Sequence, residues 1–305
     1  MRHTTRRDFL QTTAAILTAT LAGTSFDFIR NKVLLSFTTL GCPDWTFPDI
    51  VKFARENDYD GLELRGIQRE LNLTKCKEFN SADALRNTRK LMDDGGLKFV
   101  GLGSSAHLHD KDAAKRGPQL DEARRFIDLA KELSCPYVRV FPNNFPKDQE
   151  RSETIELIAK GLQELGAYAK GSGVGVLMET HGDLVQSADV EKVMQLAAHP
   201  GVGLVWDVVN MWSVTKEPPA QVFEKLKKYI HHAHIKDEKQ VDGKLKYVLL
   251  GEGEAPIFEG IDALSKGGYQ GYYSFEWEKL WHPEIEPSEV ALAQYPKKMA
   301  EHFKK

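Results

Sequence analysis

Three carboxylates and one imidazole recur along the second half of this chain at spacings that suit one divalent cation. They are Glu179 in VLMETHGD, Asp207 in VWDVVN, His234 in HHAHIKD and Glu276 in YYSFEWE, separated by 28, 27 and 42 residues. A carboxylate buried alone is costly, and several side by side repel one another. A divalent cation removes that repulsion. Three carboxylates with one imidazole suit Mn2+, Mg2+ or Co2+, with water or substrate oxygens completing a near-octahedral shell. One divalent cation is therefore expected, Mn2+ first. Zn2+ is a poorer match because it favours more nitrogen. The competing reading is a set of separate salt bridges. HHAHIKD itself suggests a three-histidine metal box. Side chains alternate along a strand, however, so His232, His234 and Lys236 share one face and His231, Ala233 and Ile235 the other. The expectation is that His234 alone ligates, His232 sits one layer lower and His231 faces the helices.

These residues need elements to position them. Short apolar runs at 33–40, 61–65, 98–104, 137–141, 174–179, 202–207, 230–236 and 271–277 read as strands. Amphipathic patterns at 81–94, 119–133, 152–170, 187–198, 219–229 and 287–303 read as helices. Ser81 and Ser187 look like N-caps, and Pro219 fits a first helical turn. Eight strands in strict alternation with helices predict an α/β chain with a single (β/α)8 TIM barrel domain over 31–305. An open doubly wound sheet is the alternative. Barrel enzymes place their sites at the C-terminal strand ends. Glu179, Asp207, His234 and Glu276 lie at four such ends in succession. The irregular stretch 237–256 contains VDGK, a turn between β-prone flanks, and reads as an extended loop or hairpin overhanging the barrel mouth.

Several function classes lose support. The 305 residues carry a formal net charge of −3, without the basic footprint that nucleic acid demands. Cys42, Cys76 and Cys135 have no close spacing, which argues against a disulfide framework or a thiolate zinc site. The glycines of GSGVG at 171–175 precede a strand instead of opening a helix, and GEGEAP at 251–256 lacks a phosphate-binding lysine. No Gly-x-Ser-x-Gly elbow occurs. The N-terminus differs from the rest: TRRDFLQ precedes the uncharged run TTAAILTATLAGTS. Paired arginines before a short apolar run read as a twin-arginine export signal with its linker over 1–30, cleaved near Ala22. The run is too short for a stable membrane anchor. The expectation is an exported, periplasmic protein.

The chain resembles the xylose isomerase-like barrel superfamily of sugar isomerases and epimerases. The resemblance rests on VLMETHGD, VWDVVN, HAHIKD, GEGEAP, YYSFEWE, YDGLELR and YVRVF, and spans residues 33 to 303. It implies Glu179, Asp207, His234 and Glu276 as metal ligands, with Glu179 and Glu276 also acting as an acid/base pair on a small sugar. The matching chemistry is removal of a proton next to a carbonyl, through an enediolate that a cation stabilises. Arg139, Lys236 and His181 are then expected to anchor substrate oxygens, with His107 and His109 after the third strand as further substrate-binding candidates or else solvated rim residues. Glu63 is expected either to bind substrate or to pair with Arg139. Trp45, Trp212 and Trp277 are expected to wall the pocket or to pack in the core. Asn210 stands where the epimerases of this group have a histidine, and no arginine lies near Gln240. Asn210 is kept as a substrate-binding position, but the departure opens a second outcome, hydration or elimination on a 3-keto sugar. A non-catalytic sugar-binding barrel is a third reading, and abasic-site endonucleases are a further branch of the superfamily. Barrels of this group often pair, so a homodimer is an open expectation.

Overall fold

A computed structural model describes residues 32–304. The expected export segment, 1–30, lies outside the described residues. Eight parallel strands close into a barrel: β1 (Leu34–Thr38), β2 (Gly61–Leu64), β3 (Lys98–His107), β4 (Tyr137–Phe141), β5 (Gly175–Glu179), β6 (Val202–Asp207), β7 (Ile230–Ile235) and, after a hairpin, β10 (Tyr272–Phe275). Pairing of Leu34 to Phe37 with Tyr272 to Phe275 closes the ring. The hairpin is β8 (Asp237–Val241) and β9 (Lys244–Val248), turning at Asp242–Gly243, both with positive φ. This is the (β/α)8 TIM barrel that the alternation predicts, and the VDGK turn forms its hairpin.

The intervening helices are α1 (Phe47–Glu56), α2 (Ala82–Asp94), α3 (Ala113–Leu133), α4 (Arg151–Ala169), α5 (Ser187–Ala197), α6 (Val208–Thr215), α7 (Pro219–Leu226), α8 (Ile257–Lys266) and α9 (Ser288–Phe303). The main core lies between strands and helices, where outward side chains such as Phe37, Leu62, Trp206 and Phe275 are buried. At the closing seam the Phe275 and Tyr295 rings stack at 4.5 Å, and the Tyr295 hydroxyl donates to the Tyr273 carbonyl.

Two sequence expectations are corrected. Ser187 is the first residue of α5, not its cap, because Glu217 from a neighbouring loop accepts both its N–H, at 3.0 Å, and its hydroxyl. His231 does not face the helices. A register shift between Leu204 and Val205 lets it lie over Gly203, where a Cβ would collide with its ring, and beside Tyr137. There it stays exposed at the N-terminal end of the barrel. Ser81 does cap α2, accepting from the Ala84 N–H, and Pro219 opens α7.

The barrel interior is polar, unlike the branched aliphatic layers that usually fill such barrels. Strand β3 makes room for this with alternating glycines. A Cβ on Gly103 would come 2.7 Å from Arg65 Cδ and 2.9 Å from Arg139 Nη2, and one on Gly101 would touch Glu63. A register shift between Leu62 and Glu63 adds a residue to β3 there. Bulges of this kind re-aim side chains next to sites.

Candidate metal centre

Glu179, Asp207, His234 and Glu276 converge at the C-terminal ends of β5, β6, β7 and β10. One ligand atom from each lies within 4.8 Å of the others, and all four residues are buried. Each is fixed by its own strand end. Asp207 ends β6 and caps α6, its Oδ1 accepting the Asn210 N–H at 2.8 Å. Its backbone N–H donates to Thr180 Oγ1 at 2.9 Å, tying it to the residue after Glu179. The Glu276 N–H donates to the Ile235 carbonyl at 2.9 Å, which extends the ladder one residue past β10.

His234 is held from below. Its Nε2 lies 3.0 and 3.1 Å from the two oxygens of Glu63. Glu63 also meets His232 Nε2 at 2.8 Å and accepts the Ser274 hydroxyl at 2.8 Å. In the neutral tautomer that donates Nε2–H to Glu63, the Nδ1 lone pair would face the upper carboxylates, 3.3 Å from Glu276 and 3.6 Å from Glu179. Without a cation there, burial lowers the ring's pKa, but Glu276, Glu63 and Glu179 more than offset it and hold it well above the usual histidine range. Such a carboxylate behind a ligating histidine fixes both ring orientation and tautomer. Burial alone would raise the Glu63 carboxyl, but His234 and His232 hold it well below the usual carboxylate range.

Two cations brace the carboxylates. Lys236 Nζ lies 2.8 Å from Asp207 Oδ2, 2.8 Å from Glu276 Oε2 and 3.2 Å from Glu278 Oε1. Arg139 Nε lies 3.1 Å from Glu179 Oε2, and its Nη1 donates to the Ser104 carbonyl at 3.0 Å. Burial lowers the Lys236 ammonium, but Asp207, Glu276 and Glu278 more than offset it and hold its pKa well up. Negative charge still exceeds this bracing. Burial pushes Asp207 and Glu278 up to about 7 despite Lys236 beside them. Glu179 Oε2, Asp207 Oδ2 and His234 Nδ1 are buried without an aligned hydrogen bond, although Lys236 and Arg139 stand within ion-pair distance of the two carboxylate oxygens. Orphaned donor atoms of a hard carboxylate-rich set, facing one point, fit a divalent cation.

The other expected site residues divide. His181 stays near the centre, partly buried, with Nδ1 3.1 Å from Asn143 Oδ1 and its ring against Phe141. Burial lowers its pKa. Asn210 is partly buried and bonds the Thr180 carbonyl at 3.3 Å. Arg139 and Lys236, expected as substrate anchors, are buried and spent on the carboxylates. Glu63 forms no pair with Arg139; it lies beneath His234, its oxygens taken by His232, His234 and Ser274. His107 is engaged elsewhere, 3.0 Å from Asp110. Trp277 packs on Phe275 in the outer core, and Trp45 packs on Phe53. Trp212 lies partly buried under Lys216 Nζ.

Sequence reasoning did not single out Glu278 or Tyr247. Burial also raises the Tyr247 hydroxyl, and its ring centre lies 5.5 Å from Lys236 Nζ, which brings β9 over the centre. The hairpin is pinned by Asp237, whose carboxylate accepts the N–H groups of Glu238, Gly251 and Gly253 at 2.9, 2.9 and 3.1 Å. A Cβ on Gly253 would collide with it. This explains why HIKD and GEGEAP belong together.

The profile of the xylose isomerase-like TIM barrel matches residues 51–299. Fructoselysine 3-epimerase of Shigella flexneri is 25% identical over 242 residues, covering 76% of this chain and 85% of the relative. The 3-dehydroshikimate dehydratase of Bacillus anthracis is 26% identical over 231 residues, covering 71% and 78%. Among solved structures, the IOLI protein with a bound zinc atom superposes with a TM-score of 0.74 at 17% identity, covering 88% of this chain and 98% of its own.

Proposed function

The chain belongs to the xylose isomerase-like TIM barrel family, and from that premise we propose that it is a divalent-cation-dependent sugar isomerase or epimerase. The observation that carries this reading is the convergence of Glu179, Asp207, His234 and Glu276, with three of their buried donor atoms lacking an aligned partner. These four residues would hold the cation, Mn2+ first, with Mg2+, Co2+ or Zn2+ as alternatives. When bound, the cation supplies Lewis-acid stabilisation of the negative charge that develops on substrate oxygens.

The chain's own groups do the rest. Glu179 and Glu276 form the acid/base pair, one removing the proton α to the carbonyl and the other returning it. The carbanion is delocalised as an enediolate, and the face on which the proton returns sets the product. Arg139 holds Glu179 in place and favours its ionised form; Lys236 does the same for Glu276. His181 and Asn210 are the proposed substrate contacts near the centre. The buried surroundings exclude water, which would quench the carbanion unselectively.

A second reading uses the same α-proton removal for dehydration or elimination on a 3-keto sugar or glycoside. It is supported by Asn210, in place of the epimerases' histidine, and by the dehydratase among the relatives. Both readings are tested by incubating Mn2+-loaded protein with free ketoses and 3-keto sugars in D2O and following them by NMR. Deuterium is expected at the carbon α to the carbonyl, with the product showing epimerisation, isomerisation or loss of water. Glu276→Gln is expected to cut turnover about 100-fold or more. Metal-loaded protein that exchanges no carbon-bound hydrogen would instead indicate a sugar-binding barrel. A fully active Glu276→Gln would remove that residue from the acid/base pair. We further propose export by the N-terminal twin-arginine segment.

A further inference from the structure

We propose that His107, His109 and Asp110 form a second metal site, at the end of β3 and on the loop that follows it, with Zn2+ as its ion. It shares no ligand with the barrel centre, and the proposal does not rest on the reading of that centre. One ligand atom from each of the three residues lies within 4.8 Å of the others. The two imidazole rings are 4.9 Å apart and inclined by 31°, and His107 Nε2 is 3.0 Å from Asp110 Oδ2.

Local structure explains why they converge. Leu108 between them is fully buried; its N–H donates to the Phe141 carbonyl at 3.1 Å and its carbonyl accepts Arg116 Nη1 at 2.7 Å. With Leu108 anchored inward, His107 and His109 at i and i+2 turn to a common side, as they do on an extended chain. Gln119 and Gln149 fix the flanks, accepting the His107 N–H at 3.2 Å and donating to the His109 carbonyl at 3.4 Å. The loop is thus held before any ion arrives.

A His107–Asp110 ion pair would account for two of the three groups. It leaves His109 unexplained, since its Nδ1 is withdrawn from water and has no hydrogen-bond partner. A buried polar atom without a partner calls for an ion or a water. Two imidazoles and one carboxylate, with a position left for water or a substrate oxygen, are a zinc donor set. A cavity of about 470 Å³, lined by His109, Asp110, Lys115, Asn144 and Gln149 among others, adjoins the site and supplies that open side. Lys111, the nearest cation in sequence, is drawn away to Asp148.

The test is zinc stoichiometry on the full chain after chelator treatment, by calorimetric titration and elemental analysis. Wild type is expected to bind two zinc ions. The His107→Ala/His109→Ala double variant, altered only at partly exposed positions, is expected to bind one. Asp207→Ala, with the barrel centre disabled, is expected to keep the rim ion, and Asp110→Asn to weaken it at least tenfold. If Asp207→Ala binds one ion and wild type also binds one, the rim site stands and the barrel reading falls. If the double variant binds as many ions as wild type, or Asp207→Ala binds none, the rim site is overturned.

Discussion

His234 shows how much of a metal centre lies outside its ligands. Its upper nitrogen faces Glu179 and Glu276 only because the lower one is tied to Glu63. Glu63→Gln is expected to keep the fold and weaken Mn2+ binding by about 10- to 100-fold, measured by calorimetric titration. Unchanged affinity would show that the ring is oriented by packing alone. Lys236 carries the complementary prediction. Lys236→Met keeps the length of the side chain but strands the buried carboxylates of Asp207 and Glu276 and the partly buried one of Glu278, so the metal-free protein is expected to lose about 3 kcal/mol or more. Added Mn2+ should then raise the midpoint of thermal unfolding more in the variant than in wild type, because the ion supplies the missing charge. Equal gains would mean that the lysine and the ion do not share a role. Strand alternation places Glu63, Arg139 and Lys236 inside the barrel correctly. It does not reveal which partner each one takes, since that depends on the layer at which each side chain ends. Alternation alone leaves Glu63 free to pair with Arg139, yet the stagger of the strands sets it beneath His234.

At the scale of elements, the strand windows read from the sequence match the barrel strands to within a few residues at either end. Their apolar runs are bounded by glycine and proline signals. Helices were less legible. α3 starts before Pro118, which costs only the hydrogen bond to the Ala114 carbonyl, whereas periodicity alone starts it after that proline. α6 follows Asp207 without a linker, so its apolar residues merge with those of β6. The register shifts at Leu62–Glu63 and Leu204–Val205 left no mark that the alternation could show. The glycines of β3 did leave one: Gly101 and Gly103, two apart on one face, announce large side chains opposite them. The hairpin gives the prediction for this scale. Asp237→Ala leaves three backbone N–H groups without their acceptor and should cost on the order of 3 kcal/mol locally. Hydrogen exchange of 238–254 is expected to speed up while the barrel strands stay protected. If that segment stays as protected as in wild type, Asp237 does not hold the hairpin.

For the whole molecule, the centre exists only when the barrel is closed. Its ligands come from residues 179 to 276, and the strand that delivers Glu276 is seated against β1, the first strand of the barrel. An unfolded chain offers no such arrangement, so a metal-loaded form requires folding first. That requirement bears on the proposed export of the chain. The twin-arginine route carries folded proteins, and a metal acquired inside the cell would travel with the barrel. The arginine pair Arg6–Arg7 should therefore decide location without affecting the site. In a bacterium with that route, the wild-type chain is expected in the periplasm, shortened near Ala22 as read by N-terminal sequencing. Arg6→Lys/Arg7→Lys is expected to remain in the cytoplasm at full length, with the same metal content per purified chain. Periplasmic recovery of the double variant, or a wild-type chain left uncut in the cytoplasm, would remove the export assignment. Loss of metal in the retained variant would show that the ion is acquired after export, and would separate folding from metal loading.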